Sequence, residues 1–408
     1  GTETVIYAIM GSYYSTLVIG GSSRVSGPNA VDASSSTTTI SGGTFTGNIK
    51  VKAGSISGGT YDKAIDAKYC KDGFIPTRNE DGSYGVKPGT YVAETNGTKY
   101  ESLAAAIEAA KAGETVTLLA DIEQNSCLVI NKDITLDLNG KKIYNTVDIW
   151  SDTAVSLISI KGGAKVTITG NGTIEAKEND CYTFNVVNGG LTIENGTFVG
   201  NISAVQVQEG SLTINGGEFS LLQKMTDGKG ANRYLINCID DAYTDGSAKV
   251  AIKGGTFEDF DPNVSPEKAV DGKVPSYAAE GVGITKNENG TFTAESNMTI
   301  QLVDADGNSV KAYSSVSEGI EAATDGQTAI LLTDANNYGV AIVSKNITVD
   351  FNGKTVTNNA KPMILVQGSA NVVIKNGAID TGANWAICAQ GSSKLTLSDV
   401  TITGTVAR

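Results

Sequence analysis

Hydrophobic positions follow two periods in this chain. Leu103, Ile107 and Ala110 are spaced i, i+4 and i+7, the stripe of a short amphipathic helix. From Ile134 the spacing becomes two. Ile134, Leu136 and Leu138 alternate with Thr135 and Asp137, and Asn139-Gly140 then marks a turn. The pattern predicts a helix over about 101–112 feeding half-buried strands. Gly113 is expected to stop the helix, because glycine takes the left-handed conformation at low cost. The same order returns downstream. Val316, Ile320 and Ala323 form the stripe, Gly326 the stop, Ile347, Val349 and Phe351 the alternation, and Asn352-Gly353 the turn. A second helix is therefore predicted over about 314–324. Residues 100–141 and 313–354 align without a gap at an offset of 213, and 18 of the 42 positions are identical, so the chain is internally duplicated.

A shorter phrase recurs inside and outside the duplication. It reads Ile-Ser-Gly-Gly-Thr-Phe at 40–45, Ile-Ser-Gly-Gly-Thr-Tyr at 56–61, Ile-Glu-Asn-Gly-Thr-Phe at 193–198, Ile-Asn-Gly-Gly-Glu-Phe at 214–219 and Ile-Lys-Gly-Gly-Thr-Phe at 252–257. With looser forms ending at Ile174, Ile379 and Ile402 included, neighbouring copies are separated by steps of 16 (45 to 61), 24 (174 to 198), 21 (198 to 219) and 23 (379 to 402). Strand, glycine turn and strand at that period predict an all-β, parallel β-helix, or solenoid. One coil cannot bury enough apolar surface to offset the entropy of ordering its residues, so coils must stack. Open coil ends expose strand edges, and the two helices are placed to cap them.

Two stretches break the pattern and match each other at an offset of 208. Residues 69–84 and 277–292 both read as strand, Asp-Gly or Asn-Gly turn, and strand, which predicts β-hairpin linkers. The expected organisation is tail coils over 1–66, a hairpin linker over 67–98, a β-helix unit over 99–262, a second linker over 263–312 and a second unit from 313 to 408. On this reading the parent protein is longer. Two insertions interrupt the complete unit, one over 144–156 and a larger one over 220–247.

Composition narrows the chemistry. The 408 residues carry a formal charge of −13 and no histidine. That charge disfavours nucleic acid and anionic lipid. The absence of histidine removes His-based triads and most zinc sites. No run of apolar residues is long enough to span a membrane. The five cysteines, Cys70, Cys127, Cys181, Cys238 and Cys388, form no C-x-x-C pair, and three of them, Cys181, Cys238 and Cys388, read as small buried hydrophobes. No cofactor is expected.

The stretch S-L-A-A-A-I-E-A-A-K-A-G-E-T-V at 102–116, followed by V-I-N-K-D-I-T-L-D-L-N-G at 129–140, resembles the opening of pectin-lyase-like right-handed β-helices. The I-x-G-G-T-F phrase resembles coils of tandem surface proteins of gut-type bacteria. The resemblance implies a right-handed helix and an extracellular or cell-surface location, and the internal repetition favours a non-catalytic stalk or adhesin over an enzyme. Glycans and host or cell-surface proteins are the implied partners. The catalytic motifs of pectin-degrading relatives are not matched, apart from one Asp-Asp pair. The alternative function is a lyase or glycoside hydrolase acting on acidic polysaccharide, with Arg233, Asp240 and Asp241 as its catalytic residues.

The insertion 220–247 holds the candidate ligand site: Lys224, Arg233, Tyr234, Asp240, Asp241 and Tyr243. Aromatic rings beside charged groups are what a sugar or protein ligand requires. Asp304, Asp306 and Asn308 resemble the start of a calcium loop, although a hairpin turn is the preferred reading there.

Overall fold

The computed structural model describes residues 7–223, 234–267, 275–382 and 385–404. Lys224 and Arg233 lie outside them. The chain divides into two compact units, Gly1–Ala106 and Ile107–Arg408.

In the first unit, parallel strands stack Arg24–Ala33 on Thr37–Val51 and Thr37–Val51 on Ile56–Tyr61. The repeated phrase sets the register: Ile40 faces Ile56 and Phe45 faces Tyr61, with the two rings stacked 4.9 Å apart. The predicted hairpin follows as Phe74–Arg78 paired antiparallel with Tyr84–Pro88.

The second unit is a parallel β-solenoid with three sheet faces. The first face stacks Thr115–Leu118, Ile134–Asp137, Lys165–Thr169, Gly190–Ile193, Gly210–Ile214 and Ala248–Ile252. Its outward column is a threonine ladder of Thr115, Thr135, Thr167, Thr192 and Thr213. The second face runs from Ile122–Glu123 to Gly255–Glu258, and the third from Leu128–Ile130 to Ile236–Cys238. The duplicated region rebuilds the same three faces from Thr328–Leu331, Ala335–Asn337 and Ala341–Val343 onward. Between the copies lie two antiparallel hairpins, Gly283–Lys286 with Thr291–Glu295 and Ile300–Val303 with Ser309–Tyr313.

Inward positions explain the repeated phrase. Phe198, Phe219 and Phe257 stack at 5.1 Å intervals in the core. Gly217 turns the corner before Phe219 at φ +107°, where a Cβ would stand 3.0 Å from the Gly196 carbonyl and 3.2 Å from the Phe198 ring. Only glycine gives both the turn and the close approach.

Three α-helices occur among the described residues: α1, Leu103–Ala109; α2, Asp240–Asp245; and α3, Val316–Ala322. The stripes predicted for the first and third are buried. Gly113 and Gly326 are left-handed as expected, but each lies four residues past its helix and closes a following turn. α2 was not expected, because its segment reads as part of an insertion. Two carboxylates in its first turn and left-handed Gly246 at its end suffice for one and a half turns. Nor is 220–247 wholly an insertion, since Ile236–Cys238 is a regular third-face strand in register with Val205–Val207.

The duplication extends to side-chain roles. Lys132 Nζ donates to the Glu108 and Ala110 carbonyls at 2.8 and 3.2 Å, and Lys345 Nζ donates to the Ala323 carbonyl at 3.0 Å. Each lysine therefore places a charged donor on carbonyl oxygen at the C-terminal end of a cap helix. Replacing Lys345 by methionine is expected to lower stability by about 1 kcal/mol in urea unfolding. No change would mean that water serves these carbonyls equally well. Asn139 and Asn352 also match. Both are left-handed, and both donate to a carbonyl one coil back, Leu118 and Leu331 respectively.

Candidate functional site

Of the predicted ligand residues, four are described, and they do not form one cluster. Tyr234 is half-buried just before the strand Ile236–Cys238. Asp240, Asp241 and Tyr243 all lie on α2, which fills the corner between the third and first faces.

Asp241 faces solvent. With Asp245 and Glu209 it lines an open depression of about 520 Å3, completed by Asn188, Gln208 and Ser247. The geometry explains the grouping: these residues occupy the same corner of three successive coils. Asp245 already has a structural task. Its Oδ1 accepts the Ser247 amide at 2.8 Å, and the Ser247 hydrogen bonds hold its carboxyl below the usual carboxylate range.

Asp240 and Tyr243 belong to a different environment. Tyr243 sets its ring against Tyr277, with centroids 5.8 Å apart and planes at 65°. The Tyr277 hydroxyl donates to Glu267 Oε1, which also accepts the Cys238 amide at 3.2 Å. Glu267 is only 6% exposed, and its Oε2 is buried with no hydrogen-bond partner. Burial first, and the neighbouring Asp240 carboxylate in addition, push Glu267 up to about 7. Burial likewise raises the Tyr243 hydroxyl and pushes the Cys238 thiol up to about 12. Sequence reasoning missed Glu267 and Tyr277. No spacing ties residue 240 to residues 267 and 277, which meet only when the coil closes.

Cys388 departs from expectation. It is half-buried because it occupies an outward position beside Leu365, whereas Cys181 and Cys238 are buried as expected.

Asp304, Asp306 and Asn308 form the turn of the hairpin Ile300–Val303/Ser309–Tyr313. Asp304 Oδ1 accepts the amides of Asp306 and Asn308 at 3.0 and 2.9 Å, and Oδ2 accepts Asn308 Nδ2 at 3.0 Å. The carboxylate is thus occupied as a turn cap. No group of three or more Asp, Glu, Cys or His side chains suited to a metal occurs among the described residues. Added calcium is expected to leave the melting temperature unchanged; a rise of several degrees would assign a cation to this turn.

A further groove of about 470 Å3 follows the glycine corner beside Asn195, Gly217, Glu218 and Thr256. Among the described residues no helix is long and apolar enough to cross a membrane. Comparison of the chain with protein-family models, with curated proteins and with solved structures finds no match.

Proposed function

We propose that this chain is a non-catalytic, extracellular module of a bacterial surface protein, a stalk or adhesin that binds glycans. On this reading its solenoid is a right-handed, pectin-lyase-like β-helix used in tandem, with units over 99–262 and 313–408 joined by the linker 263–312. The observation that carries the proposal is the duplicated set of side-chain roles. Lys132 and Lys345, and Asn139 and Asn352, perform the same structural task in both copies. A scaffold can be duplicated freely, whereas a catalytic centre is built once, on loops.

One observation speaks for the rival reading of a lyase or hydrolase. Glu267 is a carboxyl pushed up to about 7 by burial and by the neighbouring Asp240, as a general acid would be. Glu267, however, is sealed beneath Tyr277, and its bonds hold the end of a coil. The proposal is tested by passing the intact chain over immobilised neutral and acidic polysaccharides. Retention by at least one of them is expected; passage through every one would contradict glycan binding.

A further inference from the structure

Both tryptophans of the chain are exposed, Trp150 by 50% and Trp385 by 68%. Trp150 stands on the insertion 144–156, and its ring meets Tyr182 edge-on, with centroids 5.4 Å apart and planes at 86°. Exposing a ring of this size gives up burial that the coil could have used.

The loop that presents Trp150 is held with unusual care. Asp180, only 4% exposed, accepts the Ile149 and Trp150 amides on Oδ1 at 2.9 and 2.8 Å. Its Oδ2 accepts Asn145 Nδ2 at 2.7 Å. Asn145 in turn accepts the Lys177 amide at 2.8 Å and donates to the Val147 carbonyl at 2.8 Å. A buried carboxylate is costly unless its hydrogen bonds are satisfied, and here they go to the loop backbone. Asn358, at the position of Asn145 in the second copy, closes its corner with its own amide, bonding Ala360 and the Trp385 carbonyl. The coil corner can therefore be completed without a buried aspartate, and Asp180 serves the insertion.

We infer that Trp150 and Tyr182 form a preorganised platform for a sugar ring of a neutral polysaccharide. The inference rests on the glycan-binding reading above and gives it a site. An aromatic face held rigid before binding packs against the C–H face of a pyranose with little further loss of freedom. The surrounding charge selects the ligand. Lys177 is committed to Asp148 at 2.7 Å, and Asp152, two residues after Trp150, and Glu178, two residues before Asp180, are exposed. A uronate would meet these carboxylates, so acidic chains are disfavoured.

The test is native affinity electrophoresis in gels containing a galactomannan, a β-glucan, a xylan or polygalacturonate. The intact chain should be retarded by at least one neutral polysaccharide. The Trp150→Ala variant should bind it at least tenfold more weakly, while Trp150→Phe retains most of the affinity. Because Asp180 bonds to backbone, Trp150→Ala should melt as the parent does. A Trp385→Phe variant keeps Trp150 as the sole tryptophan and decides the matter if Trp150→Ala does not fold. Its emission should shift to the blue, and quenching by acrylamide should fall, when the retained polysaccharide is added. Retardation that survives in Trp150→Ala, or unchanged emission, overturns this site and leaves glycan binding standing. Retardation by polygalacturonate alone overturns the assignment of ligand. No retardation in any gel removes both the site and the reading beneath it.

Discussion

Replacing Phe219 by alanine is expected to lower stability by about 3–5 kcal/mol, the range for emptying a buried aromatic site. Phe219 is 2% exposed and lies between Phe198 and Phe257, in contact with both rings. The neighbours belong to the coils before and after it, and the backbone of each coil is fixed by parallel strand pairing. The cavity therefore cannot collapse easily, which places the effect at the large end. In a stacked array each coil contacts only its neighbours, so the loss should weaken coupling between the two halves of the stack. Urea unfolding should show an earlier and broader transition than that of the parent. A loss below about 1 kcal/mol would show that the core rearranges around this position and that the ring stack does not set the register.

Replacing Glu267 by glutamine should stabilise the protein at alkaline pH and change little in acid. The sign follows from the direction of the shift. Burial and Asp240 raise the carboxyl from 4.5 to about 7 in the folded chain. The neutral carboxyl is thus favoured by folding. Its contribution is fully present below about pH 4.5 and is lost as pH rises through about 7. At about 1.4 kcal/mol per pKa unit, the loss amounts to roughly 3 kcal/mol by pH 8. Glutamine stays neutral and can still accept from the Tyr277 hydroxyl and the Cys238 amide. Other carboxyls shift in both directions: Asp261 upward through burial, Asp245 and Asp304 downward through hydrogen bonds to Ser247 and Asn308. The informative quantity is therefore the difference between parent and variant across pH 4.5–8.5. A difference that stays flat would mean that the Glu267 carboxyl has the same proton affinity in the folded and the unfolded chain.

The parts legible in the sequence are those fixed by short periods. The i, i+4, i+7 stripes located α1 and α3. The I-x-G-G-T-F phrase implied strand, glycine turn and strand, and the structure adds that its aromatic residue points inward behind the corner, as Gly217 and Phe219 show. Asn-Gly pairs marked corners because Asn139 and Asn352 adopt the left-handed conformation. What stayed hidden depends on contacts between coils of unequal length. Asp180 meets Ile149 and Trp150 across about 30 residues of chain. Glu267 reaches Cys238 across a similar separation. α2 is too short to show a helical period, and Ile236–Cys238 is too short to show alternation. Of the predicted ligand set, Asp241 accordingly lines a solvent-facing depression while half-buried Asp240 and Tyr243 lie beside the buried Glu267, and Trp150 lies in an insertion for which the sequence suggests no role.

The claim that the solenoid binds a polysaccharide without acting on it is tested most directly by recovering that polysaccharide. After prolonged incubation with an excess of the chain, its length distribution is measured by size exclusion with light scattering, and its ends by ultraviolet absorbance and reducing-end assay. An unchanged distribution with no new ends is predicted. Shortened chains or new ends, lost again in Asp240→Asn or Asp241→Asn, would contradict it and establish an enzyme.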